Sequence, residues 1–185
     1  MSKKSFEPTK LLWLDLEMTG LDTEQDVILE IAAEVTDMKL QTLASYEAII
    51  KQPKAKVLDR MNKNIWWQDY PDNRDDFIKN LAKGKPLEMA EHELIELIEH
   101  HFGKEPAVLA GNSIHNDRNF IKVGMPNLEL KLHYRMVDVS SFKIMMQSRY
   151  RVYFEKPEVH RAFEDVQASI AELQHYMDII DRKNA

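Results

Sequence analysis

Asp15-Leu-Glu-Met-Thr-Gly-Leu-Asp22 (DLEMTGLD) directly follows the apolar run Leu11, Leu12, Trp13 and Leu14. Four apolar residues flowing into acids read as a buried strand that carries carboxylates to one edge of a sheet. Side chains alternate along a strand, so Asp15 and Glu17 share a face with their Cα atoms ~6.5 Å apart. Burying two like charges side by side is costly unless a cation offsets them, which makes the pair a candidate metal site. Acids at a strand end are also often merely solvated, so the pair alone does not decide between the two readings. Met18, Thr19 and Gly20 supply a turn, and Leu21 stands at its exit.

Residues 27–37 (VILEIAAEVTD) alternate cleanly, with Val27, Leu29, Ile31, Ala33 and Val35 on one face and Glu30, Glu34 and Thr36 on the other. This is the pattern of a half-buried strand, and its short link to the first predicts an antiparallel pair. Residues 46–51 give a third strand ended by Pro53, completing a meander. Helical character around 57–61 and 75–81 is separated by a polar break containing Pro71. Trp66 and Trp67 precede that break, and adjacent tryptophans on a regular element cannot both face one core, so one of them is expected to be exposed or to line a groove, although loose packing of both against helices fits the pattern equally well. Residues 87–102 form an amphipathic helix closed by Gly103. Ala107 to Ala110 read as a short buried strand running into Gly111, Asn112 and Ser113, with Ser113 or Asn116 as candidate cap of the next helix. Another strand covers 136–139. Val166, Ile170, Leu173, Met177 and Ile180 then repeat at helical spacing, the strongest such signal in the chain. Strands in a meander followed by strands alternating with helices describe an α/β domain with a mixed sheet and helices packed on it.

The chain has 185 residues, 44% hydrophobic and 30% charged, which suits one domain over residues 1–185. It has no cysteine, which excludes disulfides and thiolate metal sites and fits a reducing, cytoplasmic setting. No stretch reaches the roughly 20 apolar residues of a membrane helix. A net charge of −6 argues against a long nucleic-acid track, because sequence-independent affinity comes from many Lys and Arg contacts to phosphates. A short nucleic acid held by a few arginines and by bound cations remains compatible with it.

Asp117 is predicted at the start of a helix just after a buried strand, where α/β sheets present ligands, although a carboxylate there also suits a helix N-terminus for purely structural reasons. Asp165 begins the last helix, with His160 five residues earlier in VHRAFED. Each is weak alone. Together, Asp15, Glu17, Asp117 and Asp165, each at an element end, with a histidine near the last, make the inventory of a two-metal phosphodiester site. Hard divalent cations such as Mg²⁺ or Mn²⁺ take oxygen ligands of this kind.

The ordered set of Asp15 and Glu17 in DLEMTGLD, Asp117 in GNSIHND, and His160 with Asp165 five positions on resembles the DEDDh group of 3′→5′ exonucleases. Within that group DLEMTGLD, AGNSI, HYRMVDVS and HRAFEDVQASIAEL together resemble the oligoribonuclease family, over nearly the whole of residues 11–180. The segment 53–85 resembles it least. Glu164 stands where the family commonly carries a second Asp, and Asn116 replaces a longer polar residue.

The resemblance implies an RNase H-like fold whose four acids hold two divalent metal ions, Mg²⁺ or Mn²⁺, with His160 as general base. It assigns Leu21 as a wedge between the two bases of a dinucleotide and Trp66 as the wall beside the 3′ base, a role for which Trp67 competes. Ser113, Arg135 and Ser140 would surround the 5′ phosphate. Tyr134 would reach the partner's site in a homodimer. The implied activity degrades short oligoribonucleotides, down to dinucleotides, to nucleoside 5′-monophosphates. The alternatives are a single-stranded DNA or RNA exonuclease of the wider DEDDh group, which lacks the pocket supplied by HYRMVDVS, and an inactive dinucleotide-binding relative, which intact catalytic positions disfavour.

Overall fold

The computed structural model describes residues 6–156 and 160–184. A five-stranded sheet in the order β3-β2-β1-β4-β5 forms its centre. β1 (Lys10–Met18), β2 (Ile28–Asp37) and β3 (Thr42–Ile49) make the antiparallel meander, while β4 (Ala107–Gly111) and β5 (Leu132–Asp138) run parallel to β1. The expected mixed α/β sheet is therefore present. The third strand begins four residues earlier than its pattern indicated, because its exposed N-terminal half carries no apolar alternation.

Alternation in β1 divides the molecule. Leu12, Leu14 and Leu16 face a core built with α4 (Leu87–Phe102), α5 (His115–Gly124) and α6 (Pro126–Glu129). Leu11 and Trp13 face a second core beneath α7 (Val139–Met145) and α8 (Ala162–Asn184). Asp15 and Glu17 continue the Leu11–Trp13 face, so the period of two sends both acids toward α8.

β2 corrects the expectation of a half-buried strand, since all but its last residue are buried. Its polar face lies under α8 instead of water. There the Trp13 indole donates to Thr36 Oγ1 (2.9 Å), and Glu34 accepts from the Thr42 hydroxyl and the Gln167 amide, which satisfies the polar atoms the burial removes from solvent. A bulge pairs Glu17 with Glu30 and Met18 with Ile28. The extra residue, Leu29, packs with Val57, Met61, Trp67, Phe77 and Leu81 in a third cluster. That cluster seats α1 (Lys54–Lys63), α2 (Trp66–Asp69) and α3 (Pro71–Asn80) as a cover beside the DLEMTGLD turn. The polar break expected around Pro71 is shorter than its composition indicated, because Pro71 opens α3 at its first turn, where a missing N–H costs nothing. Gly103 ends α4 with φ +63° as expected. Neither Ser113 nor Asn116 caps α5; Ile114 holds that position with no side-chain bond.

Candidate active site

Three carboxylates meet where β1 passes under the first turn of α8. Asp15, Glu17 and Asp165 each place an oxygen within 4.8 Å of the others. Asp117, in the first turn of α5, is not part of that trio; its Oδ1 accepts from Leu16 N (2.9 Å), the backbone group between the two β1 acids. Burial pushes the Asp15 carboxyl well above the usual carboxylate range, and repulsion from Asp117, Glu17 and Asp165 adds to it. Burial likewise raises Glu17 to about 8, with Asp165, Glu30 and Asp117 contributing. For Asp117 burial outweighs the Leu16 bond and gives about 7. Acids so buried and mutually repelling are poorly satisfied by protein groups alone. Lys156 Nζ, 2.7 Å from Asp165, is the one lysine ion-paired with the trio among the described residues. The donor set, all carboxylate and partly open to a cavity of about 590 Å³, fits hard divalent cations.

His160 lines the same cavity as Asp15, Glu17 and Asp165. Its backbone is left-handed (φ +55°), its carbonyl accepts from Asn73 Nδ2 (3.2 Å), and its ring stands edge-on to Trp66 and Tyr70, with centroids 4.9 and 4.4 Å away. Nε2 is buried and has no hydrogen-bond partner among the described residues. Residues 157–159, which lead into it, lie outside the described residues.

A second, apolar cavity of about 310 Å³ adjoins the first, since Leu16 and Glu17 line both. Leu21, Trp66 and Trp67 complete its walls. The tryptophans separate: Trp67 is 1% exposed and donates to Thr19 O (2.9 Å), while Trp66 is half-buried with its ring on the site side. Leu21 is 67% exposed, at the cavity's rim. The turn that carries it is held by Asp26, which accepts from the Thr19 hydroxyl (2.8 Å), Asp22 N (2.9 Å) and Arg60 Nε (2.8 Å). A Cβ on Gly20 would come within 2.5 Å of the Asp26 carboxylate, so only glycine allows this approach. The anchoring roles of Asp26 and Arg60 escape sequence reading, because the partners are 34 residues apart and neither sits in a recognisable pattern.

Ser113 and Ser140 also meet. Their hydroxyls are 3.1 Å apart, and Asp138 Oδ1 accepts from both backbone N–H groups (3.0 and 2.9 Å), tying the β4–α5 turn to the start of α7. Asn112 secures the turn from behind: its amide donates to Ser169 (3.0 Å) and to the fully buried Glu172 (3.1 Å). Among the described residues Arg135 bonds to neither serine; its guanidinium lies 5.2 Å over the Tyr134 ring. Tyr134 is 72% exposed on the edge strand β5, next to His133, whose ring stacks on Phe6.

The exonuclease family (RNase_T) matches residues 12–173. A probable oligoribonuclease of Caenorhabditis elegans is 42% identical over 92% of this chain and 89% of its own. An oligoribonuclease of Pseudomonas fluorescens is 39% identical over 91% and 94%. In fold, the chain is similar to exonuclease I of Methylocaldum szegediense, with a TM-score of 0.64 at 15% identity over 90% of this chain, although it spans only 40% of that longer one. Exonuclease I of E. coli in complex with single-stranded DNA gives 0.59, 15%, 91% and 40%. The acid trio thus sits on an RNase H-like exonuclease fold, and sequence identity near two-fifths across nine-tenths of its length makes this chain a member of the oligoribonuclease family.

Proposed function

We propose that residues 1–185 form one metal-dependent 3′→5′ exoribonuclease domain that degrades short oligoribonucleotides, down to dinucleotides, to nucleoside 5′-monophosphates. The observation that carries this reading is the contiguity of the two cavities: acids and His160 line one, Leu21 and Trp66 the other, and Glu17 belongs to both. Asp15, Glu17, Asp117 and Asp165 would hold two divalent ions, Mg²⁺ or Mn²⁺. When bound, these supply Lewis-acid stabilisation of charge on the phosphate and leaving oxygen and lower the pKa of the attacking water. His160 takes the proton of that water as its oxygen adds to phosphorus and the bond to the 3′ oxygen breaks. Leu21 and Trp66 bracket the terminal bases by apolar contact and stacking. Ser113, Ser140 and Arg135 receive the 5′ phosphate, which needs Arg135 to leave the Tyr134 ring. Few phosphates need few cations, consistent with the net charge of −6. No helix of the described residues is long and apolar enough to cross a membrane, and we assign the enzyme to the cytoplasm.

Cleavage of a 5′-labelled ribodinucleotide, a longer RNA and a single-stranded DNA, each with Mn²⁺, Mg²⁺ or EDTA, tests the assignment. Metal-dependent loss of the dinucleotide ahead of the longer substrates is the expected result. Preference for the longer strands would replace it with an open-groove exonuclease, and no cleavage with a binding protein.

Tyr134 stands on β5, which among the described residues is an edge strand, and would complete the partner's site in a homodimer. Tyr134→Ala is expected to lower kcat/KM about tenfold, the effect of a lost stacking contact of ~1.4 kcal/mol. Mixing it with inactive His160→Ala subunits should recover activity, because each hybrid dimer holds one complete site. Strictly additive activities on mixing would remove the shared-site arrangement.

A further inference from the structure

The residue after the base is held far more firmly than a loop residue needs to be. Arg161 forks onto Glu30, with Nη2 to Oε1 at 2.7 Å and Nε to Oε2 at 3.0 Å, and its Nη1 reaches Asp76 Oδ2 at 2.8 Å. Its guanidinium also lies 5.3 Å over the Phe77 ring. Glu30 is buried, stands opposite Glu17 in the β1–β2 register, and accepts from Ala162 N (3.2 Å) at the start of α8. One guanidinium therefore joins the sheet beside the acids, the α3 helix and the first turn of α8.

His160 precedes this clamp in a left-handed conformation that residues other than glycine adopt only when their surroundings impose it. On its other side Asn73, from the same α3 helix as Asp76, holds its carbonyl. The ring is thereby fixed against Trp66 and Tyr70, which also touch each other, and it lines the cavity. Bidentate Arg–carboxylate geometry gives orientation as well as energy, which a surface ion pair would not.

We propose that Arg161, clamped by Glu30 and Asp76, is the positioning residue of the His160 base. The assignment rests on His160 acting as that base. It places Arg161 outside the reacting atoms: the guanidinium sets where the imidazole stands and takes no proton.

Kinetics of Arg161→Gln, His160→Ala and the double variant on a 5′-phosphorylated ribodinucleotide test this, alongside calorimetric titration with Mn²⁺ and thermal melts. Arg161→Gln should lower kcat about 30-fold, since displacement of a reacting group by ~1 Å can cost as much as a hundredfold. KM should stay within about threefold, and Mn²⁺ affinity should change by less than about fivefold, because Arg161 acts on Glu17 only through its charge and supplies no ligand oxygen. In the His160→Ala background the same change should add less than about twofold, the non-additivity expected when one residue acts through another. Asp76→Asn, which removes one limb of the clamp only, should give a loss of about threefold that also vanishes without His160, and it serves if Arg161→Gln does not fold. An Arg161→Gln enzyme at the wild-type rate, or an equal loss with and without His160, overturns the positioning role. A wild-type rate in His160→Ala would instead overturn the base assignment, a separate and distinguishable result.

Discussion

Glu17→Gln is expected to reduce turnover by at least ~10³-fold and, in the same protein, to raise the melting temperature measured in EDTA. The first effect follows from removing one carboxylate of the trio that would hold metal, whose contribution to the transition state is worth several kcal/mol. The second follows from the same burial and repulsion. Glu17 is raised to about 8 in the folded protein against 4.5 for a free carboxyl, so the folded state binds the extra proton and its stability falls as pH rises between those values. Glutamine carries no such charge, and the stabilisation should be greatest above pH 8 and vanish near pH 4.5. Adding Mn²⁺ should reverse the order, because ligand binding stabilises only the protein that retains the site. Melts at pH 5, 7 and 8.5, with EDTA and with Mn²⁺, measure all of this. A Glu17→Gln protein less stable than wild type in EDTA at pH 8.5 would show that the acids are satisfied by the protein and were not assembled for a cation.

His160→Ala is the second large effect: kcat should fall by about 10²–10⁴-fold, the ordinary worth of a general base, with Mn²⁺ affinity nearly unchanged. Its buried, unpartnered Nε2 makes the ring a group kept for something other than stability, since nothing among the described residues bonds to that atom. Alanine should therefore cost little folding free energy, about 1 kcal/mol or less apart from lost ring contact with Trp66 and Tyr70. His160→Gln, close in size but not basic, should be equally inactive. Dinucleotide binding to the inactive protein, followed by calorimetry, should persist. Loss of binding together with turnover would assign His160 to the substrate instead of to the proton.

Much of the site was legible because its signals are local. The period of two in β1 put Asp15 and Glu17 on one face, and the spacing of Val166, Ile170 and Leu173 placed Asp165 on the first turn of a helix. Of the two readings open for the adjacent tryptophans, the structure takes the one in which they diverge, with Trp67 buried and Trp66 half-buried beside the site. Where local pattern misled, a distant element had intervened. The acidic and polar face of β2 reads as solvent-facing, yet α8, more than a hundred residues later, covers it. Asp117 belongs to the same inventory as the other acids, but its bond to Leu16 N stands it beside the trio and not within it.

By itself the sequence determined the order of the sheet elements in the chain, the face on which the first two acids lie and the family to which the chain belongs, because alternation and contiguous motifs are properties of neighbouring residues. Tertiary structure decided the rest: which face becomes buried, that Glu30 stands across from Glu17, and that Arg161, Asp76 and Asn73 converge on the His160 segment. The β1–β2 ladder sets Glu30 across from Glu17, 13 positions away, and the approach of α3 and of the start of α8 to that sheet brings Arg161 within hydrogen-bond range of Asp76 and Glu30, 85 and 131 positions away.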